Sequence, residues 1–189
     1  MKYLLFGAGL QGTAIAWDLL RQAPDTTALA VVDRDRGALD RLARRFGDEP
    51  RLHLHHGEAS DPEFVKPLLA GAATAISAVN YWLNDDLTAQ AIAHETHFLD
   101  LGGNNDIVAR QLARDAAARE AGVTVLPDTG LAPGLAGILG WHLATGLDPC
   151  EAVRLRVGGL PRRPLPPLNY QLVFSVQGLI NAHVGPPYV

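Results

Sequence analysis

The sequence predicts an α/β chain built on a doubly wound parallel sheet, followed by the start of a second, α+β domain. Three observations carry this reading. The apolar run Lys2 to Phe6 opens into Gly7-Ala8-Gly9-Leu10-Gln11-Gly12, a second apolar run ends on Asp33, and strand-length apolar segments then alternate with helical ones.

Taken in order, Tyr3 to Phe6 reads as a fully buried strand, Thr13 to Gln22 as a helix closed before Pro24, and Ala28 to Val32 as a second strand. Gly37 to Phe46 is a helix stopped at Gly47, and Arg51 to His56 is a strand. Asp61-Pro62 caps a helix to Ala70, Ala73 to Val79 is a strand, and Asn84 to His94 a helix. His97 to Leu101 gives the fifth strand, Asp106 to Ala121 a helix with Asn105 as its N-cap, and Val123 to Leu126 the sixth strand. Pro133 suits the first turn of a further helix to Ala144, ended by Gly146. The first domain is therefore placed at residues 1–148 and the second at 149–189.

Past Pro149 the character changes, since seven of the thirteen prolines lie beyond residue 145. Glu151 to Val157 alternates like an antiparallel strand, residues 158–167 form a proline-rich excursion, Asn169 to Phe174 reads as another strand, and Ser175 caps a short helix to His183. Two strands and a helix bury little by themselves. An incomplete domain, or one docked on a partner subunit, is expected.

The glycine turn has a specific chemistry. Gly7 makes the tight turn, Gly9 lets the backbone approach a pyrophosphate, and Gly12 lets the helix lie close to the sheet, while the helix N-terminus faces the anion. Asp33 ends the second strand about twenty residues past the last glycine, where a carboxylate accepts from the adenosine ribose hydroxyls. That is the pattern of a Rossmann dinucleotide domain. Asp33 repels a 2′-phosphate and so favours NAD, with NADP as the alternative because Arg34 and Arg36 offer counter-charge. Leu10 and Gln11 complete the turn, Ser60 and Asp61 follow the third strand near the adenine, and Asp61 before Pro62 is equally an ordinary helix cap. Ligands in such sheets cross the carboxyl ends of the strands where their order reverses, which directs the nicotinamide to the loops after the first and fourth strands and so to Ala78, Val79 and Asn80. Tyr81, Asp100, Asn104 and Asp128 lie at strand ends on the substrate side.

Composition narrows the partners. A net charge of −4 without a basic stripe argues against nucleic acid, and no run of eighteen apolar residues suggests a membrane span. The glycines interrupt the N-terminal apolar run, which argues against a signal peptide. Cys150 is the one cysteine, read as a small buried apolar residue in a reducing, cytoplasmic protein. His53 and His55 share one side of a strand, but two ligands do not close a zinc site, so no catalytic metal is expected. Apolar residues of the last segment, Leu172, Phe174, Leu179 and Ile180, point to a homo-oligomer.

Several segments resemble the saccharopine dehydrogenase superfamily, and within it the lysine 6-dehydrogenase-like branch. They are Val79-Asn80-Tyr81 with Asn84-Asp85, Phe98 to Asn105 (FLDLGGNN), Pro127 to Gly134 (PDTGLAPG), Val157 to Pro161 (VGGLP) and Phe174 to Asn181 (FSVQGLIN). The resemblance implies a substrate domain of mixed sheet inserted after the nucleotide domain, and a chain that ends early in that insertion. It also implies an NAD(P)-dependent oxidoreductase acting on the amine of a small amino-acid substrate. The alternative is a non-catalytic nucleotide-binding module, or a subunit that needs a partner chain. The catalytic base is not assigned by either reading.

Overall fold

The computed structural model describes residues 1–158, 161–167, 169 and 176. By contact the chain divides into two units, Met1–Pro127 and Asp128–Val189.

The first unit carries six parallel strands: β1 Lys2–Phe6, β2 Ala28–Asp33, β3 Leu52–His56, β4 Thr74–Ser77, β5 His97–Asp100 and β6 Val125–Leu126. Their order is β3-β2-β1-β4-β5-β6, with Phe6 in register with Val32 on one side and Ser77 on the other. The helices are α1 Leu10–Arg21, α2 Arg36–Phe46, α3 Pro62–Leu69, α4 Asn84–Ala93, α5 Asn105–Leu112 and α6 Asp115–Glu120, with a short 3-10 turn over Tyr81–Leu83. This is the doubly wound arrangement the alternation predicts.

Period-2 alternation along the central strands divides the core between the two faces. Leu5, Leu29 and Val31 pack with Ala16 and Leu20 of α1 and Leu39 and Leu42 of α2. Leu4, Phe6 and Val32 pack with Val65 and Leu69 of α3 and Leu87 and Ala91 of α4. Each of these apolar side chains is nearly or fully withdrawn from water, which contributes roughly 1.5–3 kcal/mol apiece for the larger ones. At the start of β3, Arg51 donates to both oxygens of Glu49 (2.8 and 3.0 Å) and to the Leu20 carbonyl (2.6 Å), while Arg21 reaches Glu49 at 3.3 Å. The Arg51 hydrogen bond, helped by the Arg51 and Arg21 charges, lowers the Glu49 carboxyl to a pKa of about 2.

Four expectations are corrected in this frame. The helix expected over 106–121 is two, because Arg114 leaves helical geometry (φ −86, ψ 8) as its guanidinium reaches Asp85 at 2.7 Å. Its N-cap is Asn104, not Asn105. Pro133 does not open a helix: it is extended (φ −62, ψ 160), Gly134 follows at φ 120, and α7 begins at Ala136 and runs to Ala144. Glu151 to Val157 is not a strand; it has no strand partner among the described residues, and its side chains are exposed.

The second unit, taken alone, opens with a loop that folds on itself. Leu135 N–H donates to the Gly130 carbonyl (2.9 Å), and a side chain at Gly134 would meet the Thr129 backbone at 2.6 Å. The helix α7, grouped by the 148/149 boundary with the first domain, belongs to this unit. Cys150 is exposed rather than buried, since its segment carries no packing layer over it. The strand expected over 169–174, apart from Asn169, and the helix expected over 175–183, apart from Val176, lie outside the described residues. Among the described residues no helix is long and apolar enough to cross a membrane.

Candidate functional site

The carboxyl edge of the sheet brings the glycine turn, the end of β2 and the loop after β4 together. Gly7 has φ +102, its N–H donates to the Val32 carbonyl (2.8 Å), and a Cβ there would meet the Ala78 carbonyl oxygen at 2.7 Å. Only glycine satisfies both the dihedral and the space. At Gly12 a Cβ would fall within contact of the Gly7 carbonyl oxygen, so α1 lies directly on the turn. Gly9 differs, for a Cβ added to it meets nothing within 4 Å. The protein does not fill the space beside Gly9.

Helix capping points to the same place. α2, α3 and α5 start on the side chains of Asp35, Asp61 and Asn104, each accepting backbone N–H bonds. α1 starts on Gly9, has no side-chain cap and has no acidic residue in its first turn. Its leading amides, at Leu10, Gln11 and Gly12, are left for an anion, with the positive end of the helix dipole behind them. Leu10 and Gln11 are exposed.

Asp33 is fastened to that turn. Its Oδ2 accepts from Ala8 N–H at 2.7 Å and its Oδ1 from Asp35 N–H at 2.8 Å, which sets the carboxylate at the lip of the turn. Arg34 and Arg36 are exposed beside it, and the Arg34 carbonyl is within 3.0 Å of His56 Nε2. The Gly37 amide, aided by Arg41, holds the neighbouring Asp35 carboxyl below the usual carboxylate range. Ser60 is exposed in the turn that leads from β3 to Asp61. His55 of β3 is partly buried, and that burial, with His53 nearby, lowers its pKa.

Beyond β4, Ala78 and Val79 press on Gly7, and Asn80 precedes the 3-10 turn with its carbonyl accepting from Leu83 N–H at 3.1 Å. The Tyr81 ring lies on the Gly103 backbone, where a Cβ would meet its Cδ1 at 3.2 Å, and stands edge-on to Trp82. Asp100 has no exposed surface; its Oδ1 accepts from Gly102 N–H (2.7 Å) and its Oδ2 from Gln111 Nε2 (2.6 Å). Asn104 Oδ1 accepts from Asp106 and Ile107 N–H as the α5 cap. Asp128, in the second unit, has φ +58.

The site thus gathers Gly7, Gly9, Leu10, Gln11, Gly12, Asp33, Ala78 and Val79 directly, with Arg34, Ser60, Asn80 and Tyr81 on the adjoining loops. Sequence reasoning missed the Ala8–Asp33 bond and the buried partners of Asp100. Thr88 and Gln111 carry no motif, Asn84 stands in one only as part of a family segment, and nothing short of the fold brings the three together.

The open cradle at Gly9 and the uncapped amides of α1 fit a dinucleotide pyrophosphate, and Asp33 beside them fits a ribose diol. Residues 3–126 match the family model of the saccharopine dehydrogenase NADP binding domain. Among solved structures the chain is similar to saccharopine dehydrogenase (L-Glu forming) from Saccharomyces cerevisiae, at 21% identity and a TM-score of 0.62, over 78% of this chain and 30% of that one. It is also similar to GenD2 from gentamicin A biosynthesis, in complex with NAD, at 25% identity and a TM-score of 0.56, over 76% of this chain and 38% of that one. Shikimate dehydrogenase of Mycobacterium tuberculosis is a further likeness in fold, 21% identical with a TM-score of 0.52, over 79% of this chain and 53% of that one. This chain therefore spans well under two thirds of each.

Proposed function

The chain belongs to the family of the saccharopine dehydrogenase NADP binding domain, and from that premise we propose that it serves an NAD(P)-dependent oxidoreductase acting on the amine of an amino acid, with NAD the preferred cofactor. The observation that carries the reading is the start of α1: an uncapped helix opening on Gly9, with free space beside its Cα and the Asp33 carboxylate held at the lip by Ala8.

In this reading the amides of Leu10, Gln11 and Gly12 hold the pyrophosphate, Asp33 accepts from the adenosine ribose, and Ala78, Val79 and Asn80 border the nicotinamide. Ser60 lies toward the adenine, with Arg34 as counter-charge should a 2′-phosphate be present. The cofactor, when bound, supplies a two-electron hydride acceptor or donor. The chain's own residues position and exclude. Asn80 and Tyr81 are the groups offered to the substrate, whereas Asp100 is engaged as a buried acceptor and Asn104 as a helix cap. A lysine-type amine, with a solution pKa of about 10.4, must lose its proton before oxidation, so the complete site requires a base or strong desolvation.

Titration of the purified chain with NADH, followed by fluorescence or calorimetry, tests the cofactor reading; absence of saturation at millimolar NADH removes it. A second reading, a nucleotide-binding module without chemistry of its own, is supported by the engagement of Asp100 in the core and of Asn104 as a helix cap. NADH formation from NAD with lysine or saccharopine distinguishes the two.

A further inference from the structure

A chain of buried polar groups runs behind the nicotinamide end of the crevice. Ser77 Oγ, at the end of β4, donates to Asn84 Oδ1 (2.7 Å); Thr88 Oγ1 donates to the Asn84 carbonyl (2.7 Å); Gln111 Nε2 donates to Thr88 Oγ1 (2.8 Å) and to Asp100 Oδ2 (2.6 Å); and Asp100 Oδ1 accepts from Gly102 N–H (2.7 Å). Ser77, Asn84, Thr88, Asp100 and Gln111 are each at most 2% exposed. A carboxylate only accepts, so Asp100 forces Gln111 to present its amide nitrogen, which in turn makes the Thr88 hydroxyl an acceptor from Gln111 and a donor to Asn84. The direction of these links follows from one charge.

This arrangement is costly for a core, because the Gln111 Oε1 that faces away from Asp100 is buried with no partner. An apolar filling would serve stability at least as well. What the network does hold is the segment after β5. Gly102 and Gly103 have φ +74 and +126, and the Gly103 backbone carries the Tyr81 ring.

We propose that Asp100, acting with Gln111, is a positioning residue that sets the Gly102–Gly103 backbone and through it the Tyr81 ring at the nicotinamide end of the cofactor crevice. The inference rests on the cofactor reading above. It assigns to Asp100 no contact with substrate or cofactor.

The test compares NADH with ADP-ribose, which shares the adenosine and pyrophosphate parts but lacks the nicotinamide. Asp100→Asn keeps size and one acceptor but turns a donor toward either Gln111 or Gly102. NADH affinity should fall about tenfold, the effect of one mispaired buried hydrogen bond, while ADP-ribose affinity stays within about twofold. Combining Asp100→Asn with Gln111→Glu exchanges donor and acceptor between positions 100 and 111, leaves the Thr88 hydroxyl to choose between Glu and the Asn84 carbonyl, and should return the NADH to ADP-ribose ratio part of the way to its original value. A purely structural network would lower both affinities together, so an unchanged ratio in Asp100→Asn overturns the proposal. If that variant does not fold, Gln111→Met is measured the same way, and an unchanged ratio there also overturns it. Failure of the unsubstituted chain to bind either ligand overturns the cofactor reading itself.

Discussion

Alanine placed at Gly9 and at Gly12, one at a time, adds the same methyl group at two points of one turn and should produce opposite defects. At Gly9, φ is −72 and the methyl meets nothing within 4 Å, so the backbone accepts it without strain. Alanine is a poorer N-cap than glycine by about 1 kcal/mol, and the stiffer unfolded chain returns roughly 0.4–1 kcal/mol, so net stability should change by about 0.5 kcal/mol or less. The space the methyl enters is the one assigned to the pyrophosphate. NADH affinity should therefore drop at least about tenfold, or about 1.4 kcal/mol. At Gly12 the methyl would collide with the Gly7 carbonyl, its carbon lying 2.8 Å away, and because the obstruction is backbone the helix must shift off the turn. Overpacking of this kind costs about 3 kcal/mol, which for a chain of this size lowers Tm by roughly 6–12 °C. Thermal melts by circular dichroism without ligand, paired with NADH fluorescence titrations, read both defects. A Gly9→Ala variant that binds NADH like the parent, or that melts as low as Gly12→Ala, would refute the assignment of the open space.

Asp33→Ser should move the ratio of NADH to NADPH affinities toward NADPH while lowering both, because the change removes a repelling charge and also the partner of Ala8 N–H; a ratio that stays put in paired titrations places Asp33 away from the ribose. Glu49, depressed from 4.5 to about 2 in the fold, adds stability above its unfolded pKa that is lost as pH falls through that interval. The Tm advantage of the parent over Glu49→Gln should thus be full at neutral pH and shrink on acidification toward pH 2; an advantage independent of pH contradicts the ion pair. Exposed apolar side chains on α7, among them Ile138, Leu139 and Trp141, should drive self-association, and light scattering giving a monomer mass at all concentrations counts against it.

The parts of the site legible in the sequence are those where backbone geometry leaves one residue type. Gly7 and Gly12 could be assigned because a side chain at either collides with main chain, and Asp33 because strand length places it opposite the turn. The helix start at Asp61 was legible as a side-chain cap, the cap at Asp35 was not singled out, and Asn104 and Asn105 are equivalent as letters, so only the fold decides which accepts from Asp106 and Ile107. Pro133 misled because its φ suits both a helix start and an extended chain; its ψ, set by the turn onto Gly134, selects the second. Asp100 shows the deeper limit. An aspartate at a strand end reads as a ligand for whatever crosses the sheet; here one oxygen closes a local turn onto Gly102, and its bond from Gln111, eleven residues along, comes from tertiary packing.

The uncapped start of α1, which faces the open space beside Gly9, gives the folding equilibrium a dependence that α2, α3 and α5 lack. Where Asp35, Asp61 and Asn104 bring their own acceptors, α1 relies on one supplied from solution. Any phosphate-bearing ligand that fills this place binds the native chain alone, and the native state then gains about 2.7 kcal/mol at a free concentration roughly a hundred times Kd. Cellular dinucleotide levels would in that way act as a thermostat for the domain. Amide hydrogen exchange at residues 10–12 would track them, slowing as the pool rises and quickening as it drains.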